Sequence, residues 1–298
     1  MHALTHPFGD ALVLAQLDGL MMGVALAVVA LYAHGLSARG GRAPRWRTAA
    51  LLAGVLILMV TVSPPMERAA AARFSVHMSQ HLLLVLAAAP LIVLGRPTPV
   101  VIRALPRWLR GPAAGLLGRA RRVAKHLPLV LLAAGAWLLH AVTVWVWHVP
   151  ALYNAALHNP WIHGIEHATM LLGALPFWMV VLHPFRTGGL PGVAAVPYLF
   201  TASLHGGALG ALLAVGPTAW YEHGIYAPEG IDAVADQQMA GVIMWMPGAL
   251  VYLGTALALF AYWMARTPPP EDITACASSV NRRRMATADR PPVQEGKA

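Results

Sequence analysis

Seven runs of mainly apolar residues, separated by short polar loops, restrict what this chain can become more than any motif in it. They lie at 12–33, 48–65, 77–95, 128–147, 163–183, 193–216 and 239–264. A helix needs ~20 such residues to cross ~30 Å of hydrocarbon. That layer offers no water, so every backbone N–H and C=O must find a partner within the protein, and helices do this segment by segment. The expected fold is therefore all-α: a polytopic membrane protein, a bundle of seven transmembrane helices over residues 1–265, followed by a disordered cytoplasmic tail at 266–298. Composition agrees, with 58% of residues hydrophobic and 11% charged, a balance foreign to soluble domains. Pro90, Pro176 and Pro247 interrupt the runs, which membrane helices tolerate where neighbours satisfy the freed backbone groups.

The basic residues orient the bundle. Nineteen of the 21 Lys and Arg residues fall on one side, in the loops after runs one, three, five and seven, and only Arg68 and Arg73 fall on the other. By the positive-inside rule the N-terminus is expected outside and the C-terminus in the cytoplasm. The loop over 217–238 has Glu222, Glu229, Asp232 and Asp236 and no base, as an outward loop should. The opening MHALTHPFGD lacks the basic n-region of a cleavable signal peptide. The net charge of +9 is thus topological, and no nucleic-acid partner is expected. The one cysteine, Cys276, lies in the tail, which excludes an internal disulfide framework and a thiolate metal site.

Chemistry concentrates at the outer edge. HMSQH (His77 to His81) and HGIEH (His163 to His167) each place two imidazoles four residues apart at the start of an apolar run. That spacing puts both side chains on one helix face, ~6 Å apart, in chelating geometry. Histidines hydrogen-bonded at the lipid interface are the plain alternative. Both pairs face the same side, however, where His148 and the DQQM opening of the last run also lie. The candidate ligands are His77, His81, His163, His167, His148, Asp18 and Met239, with Met78 next. Glu166, Asp236 and Gln238 are expected around them, supporting ligands more than binding. Imidazole and thioether suit copper, Cu(I) above all, whereas imidazole with carboxylate also suits zinc or iron. His140 and His205 sit near mid-bilayer, either as hydrogen-bonded core residues or as an inward relay. Gly206 and Gly210 form a small-xxx-small contact pattern in the sixth run.

Three stretches in order, HMSQHLLLVLAAAPLIVLGRP from His77, WHVPALYNAALHNPWIHGIEH from Trp147 and DQQMAGVIMWMPGALVYL from Asp236, resemble the CtaG family associated with assembly of caa(3)-type cytochrome c oxidase. The resemblance implies a bacterial inner-membrane assembly factor rather than an enzyme. It also implies copper as cargo, a periplasmic copper donor and an oxidase subunit as partners. His77, His81, His163 and His167 match the family's paired histidines, and Asp236, Gln238, Gly241 and Trp245 match its last-helix motif. His205 and His223 have no place in that pattern. Two other readings stand beside it: a membrane-embedded zinc-dependent hydrolase with Asp18 or Glu166 as base, and a haem-binding membrane protein using histidines such as His140 and His205 as axial ligands.

The single cysteine provides a test of orientation. A membrane-impermeant maleimide should label Cys276 only after the cells are broken, and labelling in intact cells would reverse the topology.

Overall fold

The computed structural model of the protein describes residues 7–37, 43–182, 192–222, 230 and 232–266, and for 7–18 and 192 the backbone alone. The tail and His223 therefore lie outside the described residues. Regular structure among those described is entirely helical. In chain order come α1 (Pro7–Ser37), α2 (Arg45–Thr61), α3 (Pro64–Ala72), α4 (Phe74–Leu82), a π-helical turn (Leu83–Ala88) and α5 (Ala89–Gly95). There follow α6 (Thr98–Ala104), α7 (Arg107–His126), α8 (Leu129–Trp147), α9 (Pro150–His158), α10 (Pro160–Leu182), α11 (Gly192–Val215) and α12 (Ala233–Met264). Six helical stretches are long and apolar enough to cross a membrane. A seventh is α2 with α3, bent by 52° at the break between them. The seven apolar runs are these seven stretches.

The bundle is built inside out. Leu56, Leu172, Leu204 and Leu250 point outward and are more than half exposed, as lipid-facing residues should be. His77, Gln80, His81, His148, His163, Glu166, His167 and Gln237 are buried. The amphipathic α7, with no buried residue, carries six basic residues and His126 along its length, and suits a helix lying on a membrane surface.

Two prolines each free a backbone carbonyl that a side chain from another element then satisfies. Pro65 has no N–H for the Thr61 carbonyl four residues back, and the Gln80 amide donates to that oxygen at 2.7 Å. After α4 the helix widens to π register, in which Ala89 N–H donates five residues back to Leu84. In that register Pro90 falls due to serve Val85 and cannot. The Trp178 indole N–H donates to the Val85 carbonyl instead, at 2.7 Å. An unmet carbonyl in hydrocarbon costs several kcal/mol, so Gln80 and Trp178 offset that cost and tie α2 to α4 and the π-helical turn to α10.

The tightest helix crossing joins α11 to α12. A Cβ at Gly241 would stand 2.4 Å from the Ala214 nitrogen and 2.5 Å from the Gly210 oxygen, and one at Gly210 would stand 2.8 Å from the Gly241 oxygen. The small-residue contact expected of Gly206 and Gly210 is therefore made by Gly210 against Gly241. Gly206 has open space in front of it. Gly241→Ala should cost about 1–3 kcal/mol through forced separation of the two backbones, read as a lower Tm in detergent, while Gly206→Ala should leave the Tm unchanged.

Candidate metal centre

The i, i+4 pairs on α4 and α10 turn toward each other. Ring centroids lie 4.4 Å apart for His77 and His81 and 4.2 Å apart for His163 and His167. Between the helices they are 5.2 Å apart for His77 and His163 and 5.6 Å for His81 and His167. The two pairs are one buried layer of four imidazoles.

Carboxylates reach this layer from two elements. Glu166 on α10 is fully enclosed, with Oε2 3.6 Å from His77 Nε2 and Oε1 3.5 Å from His81 Nε2. Glu67 on α3 faces the other pair, with Oε2 3.3 Å from His163 Nδ1 and Oε1 3.9 Å from His167 Nδ1. Two triads result, His77–His81–Glu166 and Glu67–His163–His167, each offering three donor atoms within 4.8 Å of one another. These separations exceed the ~2.8 Å of a charge-assisted hydrogen bond. Three of the four match the ~3.3–3.6 Å between neighbouring ligands around an ion bound at ~2.0–2.1 Å, and the fourth, from His167, is slightly longer. Both Glu166 oxygens, His77 Nε2, both His81 ring nitrogens and His163 Nε2 are buried with no hydrogen-bond partner among the described residues. Enclosing a carboxylate without hydrogen bonds is costly unless a cation compensates it. The donor set fits one ion per triad.

Glu67 is the residue that sequence reading missed. It lies in the connection after the second apolar run, and only the bend at Pro64 and Pro65 carries it back over the bundle. Gln80, inside HMSQH, then holds it by a short hydrogen bond to Oε1 while gripping Thr61. The available signal was a lone acid, PPMER, on the same side as both histidine pairs.

Asp236 supports the site at one remove. It accepts from the backbone N–H groups of Phe74 and Ser75 at 2.7 and 3.4 Å and from the Ser75 hydroxyl. These are orphan donors of the first turn of α4, so a carboxylate from α12 caps the helix bearing His77 and His81, with a favourable sign for the helix dipole. Gln237 holds Trp220 N–H and the Thr218 carbonyl, and Gln238 holds the Gly216 carbonyl, pinning the loop after α11. Phe74, Tyr153 and Tyr221 stack over this end. Burial pushes the Tyr221 hydroxyl up to about 12, so it stays neutral and donates to the His148 carbonyl.

Among the other expected ligands, His148 stands beside the layer, its ring 6.4 Å from that of His81. Met239 projects outward from α12, 55% exposed, and is not brought to the cluster. Asp18 lies on α1 with its side chain outside the described residues. Deeper in, His140 Nε2 is 3.0 Å from the Tyr252 hydroxyl, and the His140 and His205 rings are 5.9 Å apart.

Fold and site together define a multi-pass membrane protein of helices, with a buried histidine–carboxylate cluster at one end. The family model for the cytochrome c oxidase caa3 assembly factor (Caa3_CtaG) matches residues 25–266. The chain belongs to that family and is a bacterial membrane protein. It is similar to uncharacterized protein Mb0105 of Mycobacterium bovis and uncharacterized protein MT0111 of Mycobacterium tuberculosis, each 27% identical over 265 residues, covering 82% of this chain and 38% of the relative. For uncharacterized protein ML1998 of Mycobacterium leprae the identity is 26% over 249 residues, covering 75% and 35%. The chain thus spans little more than a third of the length of these relatives. No solved structure matches it.

Loss of Glu67 discriminates between this geometry and a set built on the last helix. Glu67→Gln should weaken Zn(II) or Cu(II) binding about tenfold or more, measured by competition with a chromophoric chelator, and Met239→Leu should leave it unchanged.

Proposed function

We propose that this chain is a membrane assembly factor for cytochrome c oxidase, which takes copper at its histidine–carboxylate cluster from a periplasmic donor and hands it to an oxidase subunit. The cluster faces outward in this reading, as the distribution of Lys and Arg requires. The observation that carries the proposal is the deeper triad, where both Glu166 oxygens, His77 Nε2 and His81 Nε2 are buried together without a hydrogen-bond partner among the described residues. Membership of the assembly-factor family points the metal toward the oxidase.

A carrier must release its cargo, and the cluster is graded for that. Glu67 is 11% exposed at the side chain, His163 9%, and Glu166 and His167 not at all. An ion enters at Glu67 and His163 and is drawn inward as one ligand replaces another. Each triad presents three donors, leaving a fourth position for a ligand from donor or acceptor. His77 and His81 are held at fixed height by the Asp236 cap, so the deeper triad keeps its shape when empty. No step requires chemistry on an organic substrate. The zinc-hydrolase reading retains one observation in its favour, the carboxylate in each triad, because imidazole with carboxylate is as good a zinc set as a copper one.

A deletion strain grown under copper limitation and complemented with the wild-type gene or with His77→Ala plus His81→Ala separates these. The double variant should leave the oxidase short of copper and inactive, with recovery on added copper. Normal maturation with the double variant would contradict the proposal, and purified protein carrying stoichiometric zinc with esterase activity would favour the hydrolase.

A further inference from the structure

Beneath the four-histidine layer lies a cavity of about 60 Å³, lined among others by Met78, His81, His148, Met244, His140 and His205. Its upper wall contains a contact that ordinary hydrogen bonding does not explain. His148 Nδ1 is 2.6 Å from the Val144 carbonyl oxygen. A carbonyl only accepts, so Nδ1 carries the proton, and the neutral ring then has a bare lone pair at Nε2. That lone pair is directed at Met78 Sδ, 3.2 Å away. A thioether has no proton to give. Two acceptors face each other at contact distance, in side chains that are 1% exposed for Met78 and 7% for His148. Something positive belongs with them: either a proton on Nε2, which would place a buried charge beside the other imidazoles, or a metal cation, which at ~2.0 Å from nitrogen and ~2.3 Å from sulfur would stand to one side of the line joining them.

The chemistry of the pair selects the cation. Thioether sulfur is a soft donor that binds Cu(I) and Ag(I) and discriminates against Zn(II), and imidazole accepts all of these. A histidine whose Nδ1–H is held by a backbone carbonyl is also the usual arrangement of a metal-ligating imidazole, since that bond fixes the tautomer and aims Nε2. The two triads differ in kind, because each contains a carboxylate. Met244, across the cavity, adds a second thioether within the same lining.

We propose that Met78 Sδ and His148 Nε2 form a separate site for a soft monovalent cation of the Cu(I) class, below and chemically distinct from the carboxylate-bearing triads. His81 belongs to the deeper triad and also lines the cavity, and it is the ligand that both sites share. An ion passes from triad to soft site by exchange at constant charge: a bond to Glu166 or His77 breaks as the bond to Met78 forms. No electron moves, so the cargo arrives already as Cu(I). This inference rests on the copper reading of the cluster.

Silver(I) tests it, being a soft monovalent ion that is inert to redox change under these conditions. The full chain in detergent, loaded with one equivalent of Ag(I), should show sulfur in the first shell by X-ray absorption, a measurement that needs no variant. Met78→Leu, which keeps the packing volume, should lose that sulfur signal and weaken Ag(I) binding at least tenfold by competition, with Zn(II) affinity unchanged. A wild-type spectrum of nitrogen and oxygen alone would overturn the proposal, as would Met78→Leu binding Ag(I) within tenfold of wild type. Failure of the cluster reading looks different: Zn(II) and Cu(II) titrations of the wild-type protein would be flat, whatever silver does.

Discussion

A carboxylate sealed inside a membrane protein without a hydrogen-bond donor is the constraint around which this end of the molecule is organised. Glu166 is fully enclosed, and the groups nearest its oxygens are two imidazole nitrogens at 3.5 and 3.6 Å. A carboxylate so placed is tolerated only with compensation, and removing water from it makes that compensation strong. The neighbouring Glu67 lies beside His163 and His167 and is held there by a hydrogen bond from Gln80. Two acids and four imidazoles are packed in one layer, and a bound cation, as proposed here, would supply the compensating positive charge.

Two proline breaks near that layer and below it are braced by side chains from other helices. Pro65 and Pro90 each free a carbonyl, and the replacements, Gln80 to Thr61 and Trp178 to Val85, tie α2 to α4 and the π-helical turn to α10. The bend at Pro64 and Pro65 also turns α3 inward, bringing Glu67 to the histidines. The same glutamine therefore satisfies the broken helix and orients a proposed ligand. Asp236 does comparable work from α12, capping α4 so that HMSQH begins at a defined height. Support for the site thus comes from helices far apart in sequence, as is usual where ligand geometry must be held to fractions of an ångström.

The fold was legible because the bilayer permits so few answers. Apolar runs of sufficient length can only be helices, and the seven runs are the seven helical stretches. The histidine pairs were legible for a similar reason, since i, i+4 spacing fixes a face whatever the tertiary structure. What sequence could not convey was which neighbours cross between helices. Glu67 reads as a loop acid until the bend at Pro64 and Pro65 is seen. Asp236 reads as a partner for a histidine, yet its distance to backbone N–H groups makes it a helix cap. Met239 follows the polar DQQ run directly, but one helical step carries it to the exposed face of α12. The contact partner of Gly210 is Gly241 on the next helix, a pairing that no repeat within α11 could reveal.

Anomalous diffraction from crystals soaked in Cu(II) or Zn(II), recorded on both sides of the metal edge, addresses the central claim most directly. One peak is expected bounded by His77, His81 and Glu166 and another bounded by Glu67, His163 and His167. A map in which both triads are free of anomalous density at saturating metal, with the imidazoles hydrogen-bonded directly to the two carboxylates, would contradict it.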